Sequence, residues 1–305
     1  MSKINEAGIP GFNTTFHLMF APDRWDWSAK FVHFVGVAGH MDREAIKGAN
    51  TYIDHHQKFI VLAGLANRII SDLKRDGEQF ARLGSSDQRY HREFCALLEV
   101  LIAELYSSLD GIRRLIFSVY RNVQAVQNES TQKLFGRAHK KAYGAGFPLE
   151  LNDALSRAYE TWFPSLYRIR RELTHGQTGH CHLDEKSGKI TYFHEGLGSP
   201  QRSFVIEDVL TEVETWRRGV HELKECVFRH FYLKLEQKPM FQVCGFFRGR
   251  CYQRFVIPSP NLSFGDGYCD SRKWFDKQPE FLCPLHNRCG AYDRKLDGNL
   301  STITA

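Results

Sequence analysis

Four stretches of the chain repeat apolar residues at helical spacing. Between Arg43 and about Asp76, a broad face is built from Ile53, Phe59, Leu62, Ala66, Ile69 and Leu73. Between Asp87 and about Gln127, the stripe is Phe94, Leu98, Leu101, Leu105, Ile112 and Ile116. Leu155, Tyr159, Trp162, Leu166 and Leu173 form a third, and Leu210, Val213, Trp216, Val220, Leu223 and Val227 a fourth that runs to about Gln237. Side-by-side helices with broad apolar faces predict a mainly α protein built as a four-helix bundle. The connector over 77–86 is short, so the first two helices are expected to be antiparallel neighbours. Pro164 lies inside the third stretch and is expected to kink it near 159–162.

Strand-like alternation appears at 189–195 and 202–207, with Gly196, Gly198 and Pro200 between them. This predicts a β-hairpin, about 189–207, between the third and fourth helices. Residues 29–37 are β-branched and aromatic and read as a strand or a buried extended arm, in which His33 is a structural histidine. Residues 128–149 read as a basic, glycine-containing linker. Past residue 238 the periodicity fades and Cys, Phe, Gly and Pro accumulate. Three regions follow: an N-terminal arm (1–42), a helical body with the hairpin inserted (43–237), and a Cys- and aromatic-rich C-terminal module (238–305).

Composition sharpens this picture only a little. A chain of 305 residues, 42% hydrophobic, can bury a substantial core. A net charge of +6 suits an anionic partner without requiring one. The opening residues carry no apolar segment of the secretory kind, and no apolar run reaches membrane-span length, so a cytoplasmic protein with no membrane partner is expected. In that compartment the eight cysteines read as thiols or metal ligands rather than disulfides. No phosphate-binding Gly-rich loop, nucleophile elbow or HExxH pattern is present, and the carboxylates are not paired as in a metal-dependent nuclease.

The candidate chemistry sits at the end of the third helix, in Arg168-Ile169-Arg170-Arg171-Glu172-Leu173-Thr174-His175-Gly176. Arg170 stands beside the apolar stripe, where a charge is costly unless something pairs with it. His175 falls in the last turn, where the helix carbonyls favour a protonated imidazole, and Gly176 is suited to end the helix. A fixed cation and a titratable ring so close together suit gripping a phosphate and moving a proton. The blander alternative is an internal ion pair for Arg170 and a simple C-terminal cap for His175.

Arg170-x4-His175, near the end of a third amphipathic helix with a fourth beyond, resembles the HEPN superfamily. Its signature is an arginine, four to six residues, then a histidine, in a helical bundle that dimerises. The likeness spans the helical body in layout and the RRELTHG stretch in residues. It departs from many members in carrying Arg171, rather than Asn, Asp or His, directly after the arginine. Glu172 is the candidate polar substitute. Members with this motif are often metal-independent ribonucleases of toxin–antitoxin, abortive-infection and other phage-defence systems. The resemblance therefore implies a homodimer with two Arg170/His175 pairs in a shared cleft. Arg170 would hold the scissile phosphate. His175 would serve as base on the 2′-OH or acid on the leaving 5′-oxygen, giving a 2′,3′-cyclic phosphate and a 5′-hydroxyl, with no catalytic cofactor. RNA is then the substrate because the nucleophile is the 2′-OH. Arg168 and Arg171 could extend the phosphate track, Tyr167 could stack on a base, and His180 and His182 could border the cleft. A neutralising antitoxin-like partner would accompany a toxin. The competing class is a catalytically silent bundle that binds nucleic acid or protein.

Two Cys/His groups remain. Cys283-x2-His286-x2-Cys289, with Cys269, offers four candidate ligands for a structural zinc; buried, aromatic-packed thiols are the other reading. Cys244 and Cys251 could form a separate pair. His180, Cys181, His182 and His194 make a second, weaker group.

Overall fold

A computed structural model describes residues 17–36, 41–175, 178–198, 205–247, 250–278 and 282–294; of His175 it describes the backbone alone. The protein is mainly helical, with small antiparallel sheets. By internal packing the chain divides into two compact units, Met1–His40 with Phe228–Ala305, and Met41–Val227. Among the described residues no helix is long and apolar enough to cross a membrane.

Strand β1 (His17–Leu18) leads into α1 (Trp27–Val35). The expected strand over 29–37 is therefore a helix as far as Val35. Trp27, Phe31, Phe34 and Val35 fall at helical spacing, and Asp26 caps the first turn by accepting from the backbone N–H of Ala29 at 2.8 Å. A cap and a buried face outweigh the weak strand preference of β-branched residues. His33 stacks on Trp25 with ring centroids 3.9 Å apart, and burial lowers its pKa.

Helix α2 (Arg43–Ile70) begins at an Asp42 cap. The region read as a connector continues as α3 (Leu73–Leu83), closed by Gly84 in the left-handed conformation at φ +71°. Next come α4 (Arg89–Tyr120) and α5 (Thr131–His139), the latter inside the expected linker. Ser130 caps α5, and its buried Leu134, Phe135 and Ala138 hold it in place. The third stretch is two helices, α6 (Leu149–Glu160) and α7 (Phe163–His175), rather than one kinked helix. Pro164 is the second residue of α7, where no intrahelical partner exists for its missing N–H. It starts a helix instead of bending one.

Strand β2 (His180–Leu183) then pairs with β3 (Ile190–Phe193), which pairs with β4 (Val205–Ile206) in a three-stranded antiparallel sheet. Part of the expected hairpin turn, 199–204, lies outside the described residues. Helix α8 (Val209–Tyr232) stops about five residues before the expected end at Gln237.

Within Met41–Val227, α2 and α4 pack together along much of their length. Gly48 and Gly111 let the two backbones meet: a Cβ on Gly111 would stand 2.4 Å from the Tyr52 nitrogen. Helix α7 packs on α4, and α8 is tied to α7 by Trp216 Nε1–H donating to Ser165 Oγ at 2.7 Å.

The other unit is built on strands β5 (Met240–Phe247), β6 (Arg250–Val256) and β7 (Tyr268–Cys269), followed by the short helices α9 (Arg272–Lys277) and α10 (Gly290–Asp293). Its sheet runs β1-β5-β6-β7, all antiparallel, so the N-terminal arm supplies an edge strand. The register of β5 against β6 shifts between Val243 and Gly245, a β-bulge that contains Cys244. Phe31 of α1 packs on Phe228 and Phe231.

Candidate functional site

The C-terminal half of α7 carries the arginines. Leu166 and Ile169 are buried and fix the helix by its apolar face. That places Arg170 at the rim, partly exposed, with its guanidinium 4.9 Å from the centre of the Tyr106 ring on α4. Among the described residues Arg170 makes no ion pair. Tyr167 lies beside the same ring, at 6.1 Å, and against Phe163 at 6.0 Å. Burial pushes the Tyr106 phenol up, with the neighbouring Arg170 charge opposing the shift, so the ring under the guanidinium is neutral.

The other residues of the motif have divided tasks. Arg171 donates through Nε and Nη2 to Glu172 Oε1, at 3.0 and 2.8 Å. Glu172 thus pairs with Arg171 rather than with Arg170. Its second oxygen faces Gly196, where a Cβ would lie 2.5 Å away. Arg168 is partly buried, and its Nε has no partner among the described residues. Thr174 Oγ1 donates back to the Arg170 carbonyl at 2.9 Å. The backbone of His175 closes α7; its side chain, and Gly176 after it, lie outside the described residues.

The chain resumes against α4. The N–H of Gly179 donates to Glu99 Oε1 at 2.7 Å, and Tyr192 OH donates to the same oxygen at 3.0 Å. Glu99 therefore anchors the segment that follows His175. Gly179 packs so tightly on Tyr192 that a Cβ would come within 2.5 Å of its hydroxyl. In β2, His180 and His182 share the exposed face and Cys181 is buried. The Cys181 thiol is pushed up, first by its hydrogen bond with Cys95 and then by burial, which leaves it protonated.

His182 faces a cavity of about 470 Å³, lined also by Asp76, His91, Phe80 and Leu183. Asp76 is 3% exposed and accepts from both the backbone N–H and Nδ1 of His91, the ring contact at 2.7 Å. The His182 and His91 rings lie 6.3 Å apart. Neither Asp76 nor His91 stands out in the sequence, because the pair is split between α3 and α4 and no spacing rule joins them. His194, the last of the weaker group expected from the sequence, is placed just past the end of β3. It is 5% exposed, its Nδ1 accepts from Gly196 N–H at 3.1 Å, and its Nε2 has no partner among the described residues.

In the smaller unit, Cys244, Cys269, Cys283 and Cys289 are all buried and line one cavity of about 10 Å³. Cys269, Cys283 and Cys289 belong to the group expected from the sequence. His286 does not line that cavity; its Nδ1 donates to the Cys283 carbonyl at 2.8 Å. Cys251 is exposed and apart from Cys244 in burial. Burial pushes the Cys244 thiol up to about 11 and that of Cys269 up to about 12. Among the described residues no three His, Cys, Asp or Glu side chains stand at metal-coordinating geometry, either here or at His180, Cys181, His182 and His194.

No protein-family model, curated protein or solved structure matches this chain.

Proposed function

We propose that the unit Met41–Val227 is a HEPN-like bundle and that the protein is a metal-independent endoribonuclease, a toxin or defence effector active as a homodimer. In this reading α2, α4, the broken pair α6–α7, and α8 are the four helices. The observation that carries it is the state of Arg170. A guanidinium at a helix end rests on the neutral ring of Tyr106 and makes no salt bridge among the described residues. An arginine held by a ring and left without a carboxylate suits a phosphate supplied from outside. His175, five residues on at the end of the same helix, is the proton carrier. Arg170 binds the scissile diester and offsets the charge that grows on it, while His175 takes the 2′-OH proton or protonates the leaving oxygen. Arg168, with an unused donor, extends the phosphate track, and Tyr167 offers a ring edge to a base. Arg171 and Glu172 shape the rim as a pair.

The test is cleavage of labelled RNA by the purified full chain in EDTA, compared with Arg170→Ala and His175→Ala. Loss of one transition-state donor lowers turnover by about 10²–10³-fold. Both variants should fall at least that far while melting close to the wild type. Products should carry a 2′,3′-cyclic phosphate. RNA binding without cleavage, unchanged in both variants, assigns the fold to a silent binding module instead.

A further inference from the structure

We infer that Cys244, Cys269, Cys283 and Cys289 form a structural zinc site with four thiolate ligands, supported by the buried guanidinium of Arg254. This rests on the smaller unit alone and is independent of the nuclease reading. Three observations converge on it.

The first is topological. Four cysteines far apart in sequence are brought to one small cavity. Cys244 comes from the bulge in β5, Cys269 from β7 directly opposite Arg254, Cys283 from the segment before α10, and Cys289 from the N-cap position of α10. A bulge is a common device for re-aiming one side chain, and here the re-aimed residue is a cysteine. The cavity of about 10 Å³ holds a body about the size of one water. The surrounding sheet is short and the flanking helices span one or two turns, the kind of module that needs a staple.

The second is the charge of Arg254. This side chain is 1% exposed. It donates to Cys244 Sγ at 2.9 Å, to Cys289 Sγ at 3.3 Å, and to the carbonyls of Phe264 and Asp266 at 2.6 and 3.0 Å. Phe20 and Phe264 close over it, with ring centres at 4.3 and 5.0 Å. Among the described residues none of its donors meets a carboxylate. A guanidinium cannot shed its proton, and a buried charge needs a counter-charge. Neutral thiols do not supply one. A zinc ion with four thiolates is dianionic, and Arg254 would neutralise half of that.

The third is the direction of the N–H groups. The sulfurs of Cys244 and Cys289 accept from Arg254, while the backbone N–H groups of Leu285 and Arg272 lie near those of Cys283 and Cys269. Two of the four ligand candidates thus accept a hydrogen bond at sulfur and the other two have a backbone N–H close by, as in the outer shell of a metal-bound thiolate. The sulfurs surround the cavity without converging on one point, so binding requires side-chain rotation as well as release of the thiol protons. Soft thiolates in a tetrahedral closed site select zinc. The sequence spacing alone points to His286 as a ligand; its ring instead donates to a backbone carbonyl.

The full chain, purified under reducing conditions, should carry about one zinc per molecule by mass spectrometry. Cobalt exchanged into the apoprotein should give thiolate-to-metal charge transfer and tetrahedral ligand-field bands. In the wild-type protein, alkylation mapped by peptide should spare Cys244, Cys269, Cys283 and Cys289 until a chelator is added, while Cys251 reacts at once. Cys269→Ser and Cys289→Ser should lose the cobalt spectrum; Cys251→Ser and His286→Ala should keep it. Because the mapping uses the wild type, it stands even where a cysteine variant does not fold. The assignment is overturned by metal-free protein whose apo form gives no cobalt spectrum, by a disulfide between any two of the four, by an iron–sulfur chromophore, or by loss of the spectrum in His286→Ala.

Discussion

The α2/α4 crossing makes a sharp prediction because the same substitution should have opposite signs at two glycines. Helix α4 carries Tyr106 under Arg170 and Glu99 under the segment after His175, so its seat on α2 positions the whole site. At Gly111 an added Cβ would meet the Tyr52 nitrogen at 2.4 Å, the Gly48 oxygen at 2.7 Å and the Tyr52 Cα at 2.8 Å. All three are backbone atoms of the facing helix, so no rotamer change relieves them. Relief requires the helices to part by about 1 Å, from 2.4 Å to the 3.4 Å at which ordinary contact begins. A gap of that size removes about a quarter to a half of each dispersion contact it opens. Overpacking of this kind costs about 1–3 kcal/mol. Better helix propensity returns up to about 1 kcal/mol. With rigid backbone on the other side, Gly111→Ala should therefore lose about 2 kcal/mol net. For a unit of this size that lowers Tm by about 4–8 °C. Gly64, exposed on the same α2, has nothing within 4 Å of its would-be Cβ. Gly64→Ala should gain up to about 1 kcal/mol and raise Tm. Thermal melts followed by far-UV circular dichroism decide the matter. If Gly111→Ala melts at or above the wild-type temperature, the close helix crossing is wrong.

Three more outcomes are expected. Glu99→Ala should cost about 1.5–3 kcal/mol in urea unfolding, because it strands the Gly179 N–H and the Tyr192 hydroxyl, and RNA cleavage should fall with it; Glu99→Gln, which keeps an acceptor, should recover much of both. Burial lowers the His33 pKa, so the unfolded chain binds the proton more readily and the fold is weakened as pH falls through the ordinary imidazole value of 6.5. His33→Phe, stacked on Trp25, should flatten the decline in Tm between neutral and mildly acidic pH; an unchanged slope would count against it. Asp26→Ala removes the α1 cap and should cost about 1 kcal/mol, read as a lower urea midpoint for the transition of the unit that holds α1.

The long helices were legible in the sequence. Helices α2, α4 and α8 carry their signal locally, in side chains three and four apart over many turns. That Arg170 and His175 belong to one helix was legible for the same reason. Short elements were not. Helix α1 looks like a strand in composition, α3 contains Gly77, and α5 hides in a basic, glycine-containing stretch; each is short and is held by buried contacts with distant elements that no window of sequence contains. The pairing of β1 with β5 joins residues more than 200 positions apart, beyond any periodicity. Tertiary structure alone put Tyr106 beneath Arg170, joined Asp76 to His91, and brought Cys244 to the other three thiols. The physical division is between information repeated along one helix, which sequence displays directly, and convergence of single side chains from distant elements, which exists only once the chain has closed on itself.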